Sequence, residues 1–207
     1  RFMQEVLQEV MQAAGSDMAV VVKMNLRDGF RGGVELNEAM ETARMLENAG
    51  VHGLVLSGGF VSKAPMYVMR GKMPVDVMAR ELKKDLWMKP FLRWFGHLLI
   101  KPEPFLEGYF LEDALKIREV VKLPLIYVGG LTSREKIDEV LDNGFEFVQL
   151  ARALINDPAF INKLKSGEIS RSACEHTNYC IAVMYSGKMR CFQHEPDLPG
   201  KWKKRLP

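Results

Sequence analysis

The 207-residue sequence has few of the features that mark specialised protein classes. Its three cysteines, an odd number, are too few for a disulfide framework and fit a reducing compartment, so we expect a cytoplasmic protein. No apolar run approaches the roughly 20 residues that a membrane span needs, and we expect no signal peptide. The net charge of +3 is too small to indicate nucleic acid as a partner.

Short apolar runs alternate with amphipathic segments along most of the chain. Strands are predicted at 19–24, 51–57, 123–128 and 145–150. The run 19–24 is rich in valine, which is typical of a parallel strand buried on both faces, and Lys23 is its one charged residue. Helices are predicted at 1–11, 35–48, 110–121, 134–142 and 151–157, and Gly50 ends the second of them. This alternation predicts parallel strands joined by right-handed crossovers. Four such βα units are half of a (β/α)₈ barrel of the TIM type, and an open doubly wound sheet is the structural alternative.

Two predicted strand ends carry residues suited to binding an anion. Gly129 and Gly130 follow the third strand, where the absence of a Cβ lets the main chain approach a ligand. After the fourth strand, Ala151 and Arg152 open a short helix, whose free N–H groups and positive dipole end attract anions. The arginine adds a fork of donors. Together these parts predict a phosphate site; a tight turn beside a surface arginine is the alternative.

The segment PLIYVGGLTSREKIDEVLDNGFEFVQLARALINDPAF, residues 124–160, resembles the flavin-phosphate segment of the old yellow enzyme family of NAD(P)H:flavin oxidoreductases. The segment VVVKMNLRDGFRGGVELNEAMETARMLENAGVHGLVLSGG, residues 20–59, resembles the fifth and sixth βα units of the same barrel. The resemblance therefore implies the C-terminal half of a (β/α)₈ barrel over residues 1–167. We expect a helical insertion at about 60–108 and a helical or irregular tail over 168–207.

The resemblance also implies roles for individual residues. Gly129 and Gly130 would contact the FMN phosphate through their main chain, and Arg152 through its guanidinium. Ala151 stands where the family commonly has glycine, and its N–H remains available. Lys23, the one predicted catalytic residue, corresponds to the basic residue beneath the flavin pyrimidine edge, where a cation stabilises charge that accumulates on reduction. A buried lysine paired with a carboxylate is the alternative for Lys23.

The family's first four strands, which carry the isoalloxazine contacts and a substrate-binding His/Asn or His/His pair, have no counterpart in this sequence. The first predicted helix begins in mid-pattern at Arg1, which suggests a fragment. We expect FMN as cofactor, NAD(P)H as reductant and a small-molecule acceptor such as an activated alkene or enone. We expect the fragment alone to be inactive, and to form a homo-oligomer or associate with the missing N-terminal half. A non-catalytic half-barrel that acts as a binding or assembly module is the alternative.

The segment CEHTNYCIAVMYSGKMRC, residues 174–191, resembles the region where the dienoyl-CoA reductase and trimethylamine dehydrogenase branch holds a [4Fe–4S] cluster. That branch begins C-x-x-C-N, whereas Thr177 stands at the second cysteine position here and the next cysteine comes one residue early. Because a cubane needs four ligands, we expect no [4Fe–4S] cluster. A zinc set and a metal-free tail of buried thiols are the alternatives. The candidate metal ligands are Cys174, Cys180, Cys191, His176 and His194.

The predicted insertion contains the segment DLWMKPFLRWFGHLLIKP, residues 85–102, which interleaves aromatic and basic residues. Four interpretations are open: a lid over the barrel mouth, a dimer surface, an interfacial membrane helix, or helices packed on the barrel rim. Pro90 and Gly96 interrupt any long helix there.

Overall fold

A computed structural model of the chain describes residues 2–75, 77, 90, 94–96, 102–183 and 189–194. Segment 85–102 lies mostly outside the described residues. Its four interpretations therefore stay predictions. The chain divides into two compact units. The first comprises Arg1–Val68, Glu107–Leu131 and Glu135–Gln149, and the second comprises Met69–Leu106, Thr132–Arg134 and Leu150–Pro207. The domain boundary expected at residue 168 stays a prediction.

The first unit contains a four-stranded parallel sheet with the strand order β1-β2-β3-β4. The predicted strands and their parallel pairing are therefore confirmed, although each strand is shorter than its apolar run. The strands are β1 (Val21–Asn25), β2 (Gly53–Ser57), β3 (Leu125–Tyr127) and β4 (Phe147–Val148).

Helices lie between the strands as predicted. The helices whose bounds lie within the described residues are, in chain order, α1 (Phe2–Ala14), α2 (Leu36–Asn48), α3 (Pro65–Val68), α4 (Leu111–Arg118), α5 (Arg134–Asp142), α6 (Arg152–Asn156), α7 (Phe160–Ser166), α8 (Tyr179–Ala182) and the 3₁₀ helix η1 (Phe192–His194). Reciprocal hydrogen bonds between Glu35 and Glu38 cap the start of α2. Gly50, with a φ of 83°, ends this helix as the sequence predicts.

The two faces of the sheet differ in exposure. The strand register places Lys23, Val55, Ile126 and Phe147 in one row across all four strands. Lys23 is exposed, Val55 and Ile126 are half-buried, and Phe147 is 59% exposed. The opposite face is buried, through Met24, Leu54, Leu56, Leu125 and Tyr127.

The expectation that β1 is buried on both faces is wrong. Val21 and Lys23 are both exposed, and Met24 is the one buried residue of the strand. Among the described residues β1 pairs on one side alone, so its outer edge and one face meet solvent. A buried parallel strand and an edge strand share the same Val-rich composition, and the sequence pattern does not distinguish them.

Helix α1 forms where the amphipathic pattern predicts it, but most of its apolar face is uncovered. Leu7 is buried and Met11 is half-buried, whereas Phe2 is 79% exposed and both Val6 and Val10 are exposed. The sequence thus predicted the helix and its apolar stripe correctly, but not the burial of that stripe. None of the described helices has both the length and the apolar character needed to cross a membrane.

Candidate functional site

Arg152 opens α6 in the second unit and is held by one edge of its guanidinium. Its Nη1 donates hydrogen bonds to the carbonyl of Arg70 at 2.6 Å and to Oδ1 of Asn178 at 2.8 Å. The Nε and Nη2 atoms form no hydrogen bond with any described residue. The arginine is therefore anchored, while the edge of the fork that can meet an oxyanion with two parallel N–H groups is available.

Asn178 is the polar centre of this arrangement. Its side chain is only 2% exposed, and its Nδ2 donates to the carbonyls of Met69 at 3.0 Å and Lys72 at 2.9 Å. Its backbone has a φ of 59°, a left-handed conformation that asparagine adopts more readily than most residues. The amide thus ties the segment from Met69 to Lys72 to Arg152, and both of its polar atoms have partners.

Asn178 lies in the cysteine-containing segment 174–191 and was not predicted as a site residue. Its partner Arg152 is 26 residues away in the chain, and its carbonyl partners are more than 100 residues away. Neither the left-handed backbone nor these contacts follow from local spacing. The one available signal was the turn-forming preference of asparagine.

Aromatic rings flank the anchored arginine. The guanidinium carbon of Arg152 lies 5.4 Å from the ring centre of Phe105, within the range of a cation–π contact. The ring of Phe105 stacks on the imidazole of His176, with centroids 3.4 Å apart and an interplanar angle of 12°. His176 is thus a stacking partner of Phe105 in the described structure.

Gly129 and Gly130 follow β3 in the first unit, as predicted. A Cβ on Gly129 would collide with the hydroxyl of Tyr127 and would lie 2.7 Å from its Cζ. That hydroxyl donates to the carbonyl of Gly129 at 3.2 Å and accepts from the N–H of Phe110 at 3.1 Å. Gly130 has a φ of 71°, which favours glycine. Packing and backbone conformation therefore require these glycines irrespective of any ligand, and their phosphate contacts stay a prediction.

The helix that begins at Arg152 is shorter than the phosphate hypothesis assumed. Helix α6 has five residues, and the exposed Ala151 precedes it with φ and ψ of −126° and −78°. So few aligned peptide units do not build a full macrodipole. If this terminus binds an anion, the guanidinium of Arg152 contributes more than the helix does. The role of the Ala151 N–H stays a prediction.

Lys23 lies on the exposed face of the sheet, and its amine forms no hydrogen bond or ion pair with the described residues. The expectation of a buried lysine that needs an anionic partner is therefore wrong, because the strand face that carries it is open. The assignment of Lys23 to the flavin edge now rests on the resemblance and on its position in the row with Val55.

No family model matches the chain. It is 35% identical over 187 residues to a 4,4'-dithiodibutanoate disulfide reductase of Rhodococcus erythropolis, covering 90% of this chain and 46% of that protein. It is 27% identical over 196 residues to an NADH oxidase of Thermoanaerobacter brockii, covering 92% of this chain and 25% of that protein. The chain thus spans less than half the length of these relatives.

Solved structures with the same fold include the following two. An old yellow enzyme homologue from Zymomonas mobilis matches with a TM-score of 0.50 at 15% identity, covering 91% of this chain and 43% of that chain. The chain is thus similar, over part of their length, to old yellow enzyme-like NADH:flavin oxidoreductases. Histamine dehydrogenase from Rhizobium sp. 4-9 matches with a TM-score of 0.61 at 20% identity, covering 92% of this chain and 23% of that chain.

These structural similarities confirm the predicted fold class. Both neighbours are TIM-barrel enzymes, and the parallel sheet with intervening helices corresponds to part of such a barrel. The open doubly wound sheet, which was the structural alternative, is therefore not the fold.

The cysteines of the chain, Cys174, Cys180 and Cys191, are free, half-buried thiols. Burial raises the pKa of Cys174 and of Cys180, and the positive charge of Arg152 opposes this rise at both. The Nδ2 of Asn156 contacts the thiol of Cys191 at 3.2 Å. Within the part of the chain that the structure describes, no three or more His, Cys, Asp or Glu residues form a group that could hold a metal ion.

The first unit also has an open groove of about 720 Å³, which contains none of the predicted site residues. Its lining comes from the facing sides of α1 and α2: Gln4, Leu7, Gln8, Met11, Glu41, Arg44, Met45, Asn48 and Ala49. In a TIM barrel the active site is built at the carboxyl ends of the strands rather than between outer helices, so we assign this groove no part in the site.

Proposed function

We propose that the chain is the flavin-phosphate-binding part of an FMN-dependent oxidoreductase, which passes hydride from NAD(P)H to a small acceptor. The family supports the reaction class, since relatives bear the names NADH oxidase and 4,4'-dithiodibutanoate disulfide reductase. The observation that carries the phosphate assignment is the anchored guanidinium of Arg152. Its Nη1 is already bonded to Arg70 and Asn178, so the rest of the fork has a fixed direction.

A phosphate group fits the donors that Arg152 leaves available. The Nε–H and one Nη2–H of an arginine are parallel and spaced for two oxygens of one phosphate, so such contacts combine charge with geometry. Anchoring at Nη1 leaves this pair in place. The ring of Phe105 limits the motion of the guanidinium from one side.

The remaining predicted residues would act through simpler contacts. The main chain at Gly129 and Gly130 and the N–H of Ala151 would donate hydrogen bonds to phosphate oxygens. The ammonium group of Lys23 would lie at the flavin pyrimidine edge and stabilise negative charge there. The bound flavin would supply the hydride transfer between NAD(P)H and the acceptor, a reaction for which this chain provides positions and charges.

The acceptor that we propose is a small electron-poor molecule, such as an activated alkene or enone. A relative in Vibrio harveyi named NADH:acrylate oxidoreductase, 27% identical over 78 residues, supports the alkene. A disulfide is the second candidate, because the relative with 35% identity is named for a disulfide substrate.

The phosphate assignment is tested by Arg152→Ala in the complete polypeptide that the gene encodes. Loss of a charge-assisted contact should weaken FMN binding by about ten- to a hundredfold, measured by flavin fluorescence titration. Riboflavin, which lacks the phosphate, should bind the variant and the parent equally. Arg152→Lys should retain part of the preference, since lysine keeps the charge without the fork. An unchanged FMN dissociation constant in Arg152→Ala would remove Arg152 from the site.

The reaction is tested by following NADH and NADPH oxidation with 2-cyclohexenone and with 4,4'-dithiodibutanoate as acceptors. The complete polypeptide with FMN should accelerate at least one of these reactions. The 207-residue chain alone should not exceed the rate of free FMN, because misplacing the reacting atoms by about 1 Å costs roughly a hundredfold. If the complete polypeptide accelerates the oxidation of neither NADH nor NADPH with either acceptor, the oxidoreductase hypothesis is wrong. The alternative, a non-catalytic binding module, then takes its place.

A further inference from the structure

We propose that Asn178 is a positioning residue that orients Arg152 for the flavin phosphate. The inference rests on the proposed function, since it needs Arg152 to be a phosphate ligand. It adds to that function a residue that would touch neither the flavin nor the acceptor and would act through the arginine.

The contacts place both acceptors of the Arg152 Nη1 group under the control of Asn178. One acceptor is the Oδ1 of Asn178 itself, at 2.8 Å. The other is the carbonyl of Arg70, at 2.6 Å, and Nδ2 of Asn178 also approaches this carbonyl at 3.4 Å. Hydrogen bonds from the same Nδ2 to Met69 and Lys72 hold the segment on both sides of Arg70. Removal of one amide would therefore loosen both anchors of the guanidinium.

An anchored arginine binds an anion more tightly than a free one. An arginine side chain has many rotamers, and an anion that binds it must select one of them at an entropic cost. Because the amide of Asn178 is buried and fully hydrogen-bonded, this cost is met when the protein folds rather than when the ligand binds. The expected consequence is selective: Asn178 should increase affinity for the phosphate and leave affinity for the flavin ring unchanged.

Asn156 provides a matched control. It is also a buried asparagine of the second unit, only 7% exposed, and it lies on the helix that Arg152 opens. Its Nδ2 contacts Cys191 and His194, at 3.2 and 3.1 Å, and Arg152 is not among its described partners. A general disturbance of this region should therefore occur equally in Asn156→Ala and Asn178→Ala, whereas a disturbance of Arg152 should occur in the latter alone.

The experiment measures the ratio of the riboflavin to the FMN dissociation constant in the complete polypeptide. We expect Arg152→Ala to lower this ratio by about tenfold or more and Asn178→Ala to lower it by about fivefold. Asn156→Ala should leave it unchanged. The double variant Arg152→Ala/Asn178→Ala should resemble Arg152→Ala alone, because residues that act through one contact are not additive.

The outcomes separate this inference from the proposed function. If Arg152→Ala leaves the ratio unchanged, the phosphate assignment itself fails. If Arg152→Ala lowers it and Asn178→Ala does not, or if Asn156→Ala lowers it as much, the positioning role is overturned. If Asn178→Ala does not fold, a crystal structure of the unmodified protein with bound flavin tests the positioning role instead. Asn178 Oδ1 must then bond to Arg152 Nη1 while Nε or Nη2 meets the phosphate, and an Arg152 that is not bonded to Asn178 sinks the inference.

Discussion

In the first unit, the backbone N–H and C=O groups of the strands bond to one another in a parallel sheet. In the second unit the described residues contain no strand, and side chains donate hydrogen bonds to several of the loop carbonyls. The buried face of the sheet is apolar, as with Leu54 and Leu125. Near Arg152 the buried centre is the amide of Asn178. Where regular secondary structure satisfies the backbone polar groups, stability should be most sensitive to a loss of buried apolar volume. Where side chains satisfy those groups, stability should be most sensitive to the loss of a side-chain amide.

The largest effect should come from the apolar face of the sheet. Leu54 is fully buried on β2, so Leu54→Ala should lower the free energy of unfolding by about 2–5 kcal/mol, measured by urea denaturation. Its neighbour Val55 points to the half-buried face, and Val55→Ala should cost only about 1 kcal/mol. Equal losses in the two variants would contradict the assignment of one buried and one open face.

The next effect tests why Gly129 is a glycine. Gly129→Ala would push a methyl group against the ring and hydroxyl of Tyr127, and we expect a loss of about 1–3 kcal/mol from overpacking. Tyr127→Phe in the same chain removes the hydroxyl that the methyl meets. The double variant should therefore be less destabilised by the alanine than the parent is, and no such relief would show that Tyr127 is not the obstacle.

In the second unit, Asn156→Ala tests the importance of a side-chain amide. Its contacts with Cys191 and His194 hold η1, so their loss should cost about 1 kcal/mol and raise hydrogen exchange in residues 189–194. Asn143→Ala is the control, because among the described residues its exposed amide donates to the carbonyl of Glu139 alone, at the end of its own helix. This variant should change stability by less than about 0.5 kcal/mol. Unchanged hydrogen exchange in residues 189–194 would show that the contacts of Asn156 do not stabilise η1.

A smaller effect is expected at the polar margin of the first unit. Arg27 bonds both carboxylate oxygens of Asp113, at 2.7 and 3.2 Å, and this contact raises the pKa of Arg27. Because the pair is partly exposed, Asp113→Asn should cost about 0.5–1 kcal/mol, and less at high salt. The more exposed pair Lys116–Glu119 is the control, where Glu119→Gln should have almost no effect. A salt-independent loss at Asp113 would contradict a Coulombic contribution.

The smallest expected effect is on the pH dependence of stability, through the ion pair of Asp157 and Lys163. A hydrogen bond from Lys163 lowers the pKa of Asp157 below its ordinary value. A carboxyl whose pKa is lower in the folded chain stabilises the fold above the unfolded value and loses that contribution as the pH falls through the folded value. Unfolding measured as the pH falls below about 4, the ordinary pKa of an aspartate, should therefore reveal a slight acid sensitivity that Lys163→Met reduces. The same pH profile in both proteins would exclude the pair from acid stability.

Most of the fold followed from local patterns in the sequence. Helix α5 has the predicted bounds Arg134–Asp142, and Gly50 ends α2 where its left-handed backbone was expected. Such features depend on neighbours within a few residues, through helical periodicity, capping and turn preferences. The strand ends at Gly129 and Arg152 were located in the same way. Their order along the chain, with the family resemblance, was enough to predict the barrel class.

Only the tertiary structure decided what each side chain meets. Lys23 was expected inside the sheet, yet it is exposed, because burial depends on which elements cover a face rather than on the strand's composition. Gly129 is confined by a ring two residues away that folds back over it, and Arg152 is oriented by Asn178, 26 residues further along. The sequence by itself determined the order of strands and helices and the residue types at their ends. The directions of the charged groups arose from contacts between distant segments, which no local pattern encodes.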